Sequence, residues 1–299
     1  DEDGEPTMIT HDKGGYLDIA PIDKGENIRR EICLCLEEMG ISPESSHHEQ
    51  GPGQNEIDFK YSDSLTAADN FITFKSVVKA IAARNGLFAS FMPKPIEDNS
   101  GNGLHINLSL SKNGINIFEN NKWDQESVKS FIAGILSKVK EITLFLNPLV
   151  NSYERFGKFE APKYISWSHQ NRSQLIRIPA ATGEKTRIEL RSPDSAINPY
   201  IAFALIIGAG LYGIENSIKL PEAINENLYT AGDDILKNID TLPESLEEAL
   251  SIAKNSKFIK EIIGQEVLDR YIELKENEIR EYLNDDDKEL IKRKYFEYI

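Results

Sequence analysis

Turn signals that outnumber any regular strand–helix alternation, one strictly alternating strand and several amphipathic helices predict an α+β fold, an antiparallel sheet flanked by helices. The strand covers residues 104–111. There Leu104, Ile106, Leu108 and Leu110 alternate with His105, Asn107, Ser109 and Ser111, so one face is apolar and the other polar. The turns are Gly51-Pro52-Gly53 and Asn113-Gly114, residue types that reverse a chain tightly between strands. No repeat, low-complexity stretch or linker interrupts the chain. It therefore reads as one catalytic-type domain, residues 1–299, with a helical C-terminal part from about residue 217.

In chain order, Ile28, Ile32, Cys35, Leu36 and Met39 fall at steps of three and four, which predicts a helix over 24–39 that stops at Gly40. Two strands then flank the Gly-Pro-Gly turn; in the second, Glu56, Asp58 and Lys60 alternate with Ile57, Phe59 and Tyr61. A helix over 64–84 buries Phe71, Phe74, Val78 and Ile81 and closes at Asn85-Gly86. After the alternating strand and its Asn-Gly hairpin come a helix over 124–145, strands near 175–178 and 186–191, and a helix following Asn198-Pro199. From Pro243 onward the pattern is that of charged amphipathic helices.

The 49 Asp and Glu against 34 Lys and Arg give a net charge of −15, which repels nucleic acid and anionic lipid and excludes both as partners. An acidic chain that handles phosphate must do so locally, through metal ions and a few converging arginines. The two cysteines, Cys33 and Cys35, diverge on a helix, which favours a reducing compartment; the longest apolar run, residues 200–214, is too short to cross a membrane. With no signal peptide before DEDGEP, the chain reads as cytoplasmic, and without an initiator Met it reads as a fragment.

Alternation places Arg187, Glu189 and Arg191 on one strand face and Ile188 and Leu190 on the other. Such a face is either a ligand surface or a set of cross-strand ion pairs. Arg172 and Arg177 lie just upstream, in NRSQLIRIP. Glu44, Glu49 and Glu56 flank the glycine turn, with His47 and His48 among them; oxygen-rich sets of this kind suit Mg2+ or Mn2+, the alternative being an ordinary acidic hairpin. Carboxylates ~4 Å apart repel by about 4 kcal/mol at an effective dielectric near 20, so a convergent set needs a cation. His105 stands on the polar strand face as a ligand or a hydrogen-bonding residue, and Gly101 and Gly103 before it allow close backbone approach to a substrate.

Five ordered segments, HHEQGPGQNEIDFKY, SFMPKP, GNGLHINLSL, NRSQLIRIPAA and TRIELRSPDSAINPY, resemble the signature segments of the glutamine synthetase family in its bacterial class I form. The resemblance runs from Gly14-Gly15-Tyr16 to the C-terminus. It implies the glutamine synthetase catalytic-domain fold, with a curved antiparallel sheet. It also implies ATP-dependent joining of ammonia to L-glutamate through γ-glutamyl phosphate, with two or three Mg2+ or Mn2+ ions per site. By resemblance Glu49 and Glu56 ligate one cation and His105 and Glu189 another. Glu44, Tyr61, Asn107, Ser109, Arg172, Arg177 and Arg187 fall at ATP, and Gly101, Arg155 and Arg191 at glutamate. Glu160 matches a flap carboxylate that, with Arg172, serves catalysis, and Tyr16, Glu49 and Glu160 are implied for the ammonium pocket. The implied assembly is a homo-oligomer, a dodecamer of two hexameric rings.

The sequence departs from the family pattern in places. Ser100-Gly101-Asn102-Gly103-Leu104 stands where members have Asn-Gly-Ser-Gly before a Met-His pair, and Arg155 and Glu160 are one residue closer than in many members. These differences keep a ligase for another amine open; a non-catalytic homologue is a third reading, whose mark would be loss of metal ligands, and all four matched metal positions are present. Tyr229, in ENLYTAGDD, lies near where some members are adenylylated but lacks the usual acidic-proline context and reads as a packing tyrosine. Members also carry, before the segment equivalent to Asp1, a β-grasp domain and a strand with two metal-binding glutamates. The resemblance therefore implies a catalytic domain without its first strand, inactive in isolation.

Overall fold

The computed structural model describes residues 5–119, 126–284 and 288–299. Contacts group the chain into two compact units, residues 1–102 with 289–299 and residues 103–288.

In the first unit, helix α1 (Glu26–Glu38) and helix α2 (Ser64–Arg84) carry the expected apolar stripes. Ile32 and Leu36 of α1 meet Val77 and Ile81 of α2, with Ile41 between them. Asp63 caps α2, its carboxylate accepting from Thr66 N at 3.1 Å, and the chain leaves through Gly86 at φ +70°, a conformation glycine adopts without strain. Between the helices β1 (Pro43–His48) and β2 (Asn55–Phe59) form an antiparallel hairpin in which His47 faces Glu56 and His48 faces Asn55. Ile57 and Phe59 pack on the helix core, which turns the alternate residues Glu56 and Asp58 to the other face. The last helix, which begins at Lys288 and ends at Tyr298, returns to this unit, where Phe296 meets Phe88 at 5.2 Å between ring centroids.

The second unit holds a four-stranded sheet in the order β3 (Ile106–Leu108), β8 (Ile188–Leu190), β7 (Ile176–Ile178), β6 (Trp167–His169), and a separate hairpin of β4 (Ser111–Lys112) and β5 (Ile115–Asn116). Asn107 and Arg177 both register with Glu189. Helices α3 (Glu126–Leu146) and α4 (Pro199–Glu215) cross so closely that a Cβ on Gly213 would lie 2.0 Å from the Ser130 carbonyl. Asn198 caps α4 with Pro199 at its first position. The remaining helices are α5 (Asp233–Leu236), α6 (Leu246–Lys254), α7 (Lys257–Ile263) and α8 (Gln265–Asn284). Among the described residues no helix is long and apolar enough to cross a membrane.

The fold is α+β, and its sheet departs from the sequence expectation in two ways. Its β6–β7 pair is parallel rather than antiparallel. Strands of three residues are only about 10 Å long, so a six-residue link, which spans roughly 20 Å, suffices to return the chain. The alternating stretch at 104–111 pairs with β8 over only three residues: at its start β8 gives way at Arg191 to a loop, so that Leu104 donates instead to the Pro193 carbonyl at 2.9 Å, and at its end Ser111 opens β4. The helix expected over 124–145 is α3, with residues 124 and 125 outside those described. Residues 217–232 form turns and extended chain, and helix resumes at Asp233.

Candidate active site

In the first unit the β1–β2 turn is pinned by Glu49 N donating to the Gln54 carbonyl at 2.8 Å and by Gly53 at φ +65°. This brings His47, Glu49 and Glu56 together, each offering a ligand atom within 4.8 Å of the others. Burial, then the facing carboxylates of Asp58 and Glu49, push the Glu56 carboxyl up to about 8. Nitrogen and carboxylate donors whose negative charge is uncompensated fit a hard divalent cation. Tyr16 stands edge-on to the His47 ring at 5.5 Å, Glu44 and Tyr61 are exposed, and the Gly101 carbonyl accepts from Gln54 Nε2 at 3.1 Å.

Beneath this hairpin lies a buried hub that the sequence reading missed. The Asp12 carboxylate accepts from Gly53 N (2.8 Å), Lys24 N (3.0 Å) and Gly14 N (3.2 Å) and meets His48 Nε2 at 2.9 Å. His48 Nδ1 lies 2.7 Å from the Glu49 carbonyl. Both partners are acceptors, so the doubly protonated ring is the form that satisfies both contacts. Burial opposes both charges, yet the hydrogen bonds prevail, holding Asp12 well below the carboxylate range and His48 above the histidine range. Asp23 is likewise lowered, chiefly by Arg29, whose Nη2 approaches it to 2.6 Å. Asp12, Asp23 and His48 lie within metal-ligand reach of one another, but a doubly protonated ring and a guanidinium-bound carboxylate make the set a salt-bridge hub.

In the second unit, Glu189 is the centre. Arg191 Nη1 donates to its Oε1 at 2.9 Å, Arg177 Nη1 stands 2.8 Å from Oε2, and His105 Nδ1 lies 3.3 Å from Oε1, a separation one cation can bridge. Burial and then the positive charges of Arg191, Arg155, Arg177 and Arg172 hold the His105 imidazole well below the histidine range; because 35% of its side chain is open, the arginine field is the weightier cause. Arg187 Nε donates to Asn107 Oδ1 at 2.9 Å, and Ser109 is exposed beyond β3. Arg172 Nη1 meets Glu160 Oε2 at 3.4 Å, and Phe159 and Glu160 both have positive φ, a strained loop that presents the carboxylate.

Two supports of this group also escaped the sequence reading. Arg155 is backed by Asp194, Asn147 and Ser192, all buried. The loop bearing Arg172 is clasped by residues 225–228: Asn171 Nδ2 donates to the Glu226 carbonyl at 2.9 Å and Leu228 N to Ser173 Oγ at 3.0 Å. Asp194 lies inside TRIELRSPDSAINPY, where a charged residue between a buried strand and a helix cap was the available signal; Asp12 had none, since only distant loops define its role. Among the described residues the buried Nε atoms of Arg155, Arg177 and Arg191 find no hydrogen-bond partner. Such a surplus of cationic donors fits phosphate and carboxylate groups.

The acidic hairpin offers donors that fit a divalent cation, and the arginines around Glu189 offer donors that fit anionic groups. The sequence profile of the glutamine synthetase catalytic domain matches residues 2–293, and the chain belongs to that family. It is 49% identical over 288 residues to the glutamine synthetase of Clostridium saccharobutylicum, covering 94% of this chain and 65% of that protein. Identity to the glutamine synthetase of Methanosarcina mazei is also 49%, over 94% of this chain and 64% of that one. The chain thus spans somewhat less than two thirds of these curated relatives. Among solved structures, one described as a GmaS/ADP complex is 30% identical with a TM-score of 0.85 (98% of this chain, 69% of that one). The Plasmodium falciparum glutamine synthetase is 31% identical with a TM-score of 0.80 (92% and 63%).

Proposed function

We propose that the chain is the larger part of an ATP-dependent glutamate–ammonia ligase, which forms glutamine, ADP and phosphate through γ-glutamyl phosphate. The observation that carries this reading is the 49% identity, over nearly the whole chain, to proteins named glutamine synthetase. In this reading Glu49 and Glu56 would hold one divalent cation, Mg2+ or Mn2+, and His105 and Glu189 another, and such ions would supply neutralisation of phosphate charge. Arg172, Arg177 and Arg187 bind phosphate oxygens as negative charge develops on them, with Glu44, Tyr61, Asn107 and Ser109 on the remainder of ATP. Gly101, Arg155 and Arg191 hold glutamate with its γ-carboxylate as the nucleophile. Glu160, on its strained loop, closes over the site, accepts a proton from ammonium and keeps water from the acyl phosphate. Tyr16 and Glu49 complete the ammonium pocket. The full-length protein assembles as a dodecamer of two hexameric rings in the cytoplasm, where Cys33 and Cys35, free in the structure, stay reduced.

The test is phosphate release by the full-length protein with ATP, glutamate and either ammonium or a panel of amines, with Mg2+ or Mn2+ added or chelated. Cation-dependent release that is fastest with ammonium is expected. Faster release with another amine would move the assignment to a γ-glutamyl-amine ligase, and no glutamate-dependent release would overturn it.

A further inference from the structure

Arg155 is 3% exposed and, among the described residues, is held from one side only. Its Nη1 donates to the Ser192 carbonyl at 3.1 Å and stands 3.8 Å from Asp194 Oδ2. Its Nε makes no hydrogen bond, and a Cβ on Gly103 would come within 3.1 Å of Nη2. One end of the guanidinium is thus anchored while the side formed by Nε and Nη2 keeps its donors, the fork that grips a carboxylate with two parallel bonds. The anchor is itself fixed. Asp194 has no exposed surface, its Oδ2 accepts from Asn147 Nδ2 at 3.0 Å and its Oδ1 from Ala196 N at 3.0 Å. Asn147 also donates to the Ser192 carbonyl at 2.9 Å, so both groups touching Nη1 are tied to one amide at the end of α3. The Asp194 backbone bridges Gly103, two residues before His105.

We infer that Asp194 is a positioning residue for substrate: with Asn147 it neutralises and aims the buried Arg155 guanidinium, so that the free fork meets a glutamate carboxylate. The inference rests on the ligase reading above. A buried arginine without its counter-charge either draws in water or shifts its geometry, and a misplacement on the order of 1 Å at a positioning group costs up to about a hundredfold.

The experiment compares wild-type full-length protein with Asp194→Asn, Arg155→Gln and the double variant, measuring kcat, KM for glutamate, KM for ATP and melting temperature. Asparagine retains the acceptor for Ala196 N and removes the charge. The expected result is a rise of about tenfold to a hundredfold in KM for glutamate with KM for ATP within about twofold. In the Arg155→Gln background the Asp194 change should add little, because it acts through that arginine. Unchanged KM for glutamate, with only a lower melting temperature or lower kcat, overturns the inference while leaving the ligase reading intact; so does full additivity of the two substitutions. A wild-type protein that turns over no glutamate overturns the ligase reading, and the inference with it.

Discussion

Glu56 and Glu189 are the same side chain on short antiparallel pairs, yet they sit in opposite fields. Glu56 faces Asp58 and Glu49 and is driven toward its protonated form, whereas Glu189 is gripped by Arg191 at 2.9 Å and Arg177 at 2.8 Å. The first cluster has excess negative charge, which a retained proton or a bound cation relieves. The second is already compensated, and its surplus is of guanidinium donors. A net charge of −15 therefore describes neither place: one concentrates carboxylates, and the other holds fixed cations around a single carboxylate.

The largest effect should come from breaking the compensated half. Glu189→Gln keeps the shape but removes the charge to which Arg177, Arg191 and His105 are organised. Turnover by the full-length protein should fall by about 10³-fold, the upper scale for removing one preorganised electrostatic group. Circular dichroism should show the fold retained, since Arg191 keeps its bond to the Glu160 carbonyl and the Arg177 side chain is partly open to solvent. A loss under tenfold would show that Glu189 is a strand-face ion pair and no more.

Next in size is the hub under the acidic hairpin. Asp12→Ala leaves three backbone N–H groups and the His48 imidazolium without their acceptor, and should destabilise by about 3 kcal/mol in chemical denaturation. The pH dependence has two limbs. Asp12 is lowered, so its contribution is present above the unfolded value near 3.9 and is lost as pH falls through its folded value. His48 is raised, so its contribution is present below about 6.5 and is lost as pH rises through its folded value. Stability from this hub should peak between those limits, and Asp12→Ala should flatten both limbs; an unaltered profile would mean the hub is not coupled to folding.

This hub also marks where the sequence stopped being readable. Helix α2 was legible from Ser64 to Arg84 because its cap, stripe and terminal Asn-Gly are all local signals. The β1–β2 turn and the Asn113-Gly114 hairpin were legible for the same reason. Glu189 between Arg187 and Arg191 could be placed by alternation alone, although alternation could not say whether those arginines clasp it or a ligand. What escaped was non-local. Besides its neighbour Gly14, Asp12 acquires its partners from residues 24, 48 and 53, and Asp194 stands behind an arginine almost forty residues earlier. The parallel β6–β7 pair escaped because three-residue strands carry too little periodicity to declare themselves.

The smallest effect, and the one that sharpens the comparison most, concerns Glu56. Its carboxyl is pushed up to about 8 against an ordinary value near 4.3, so between these the folded protein keeps a proton that the unfolded chain has released. Stability without added cation should therefore fall as pH rises across that window. The side chain is 34% exposed, so solvent screening limits the effect to about 1 kcal/mol or less. Glu56→Gln should remove the slope and raise the melting temperature slightly in the presence of chelator. With Mn2+ the order should reverse, the wild type gaining more from the ion than the variant, and wild-type binding near pH 7 should release a proton that calorimetry in buffers of different ionisation enthalpy can count. Glu189→Gln should show no such stabilisation under chelator, since its charge is already met by two arginines. Equal cation-free behaviour of the two variants would dissolve the distinction between a cluster awaiting positive charge and one supplied with it.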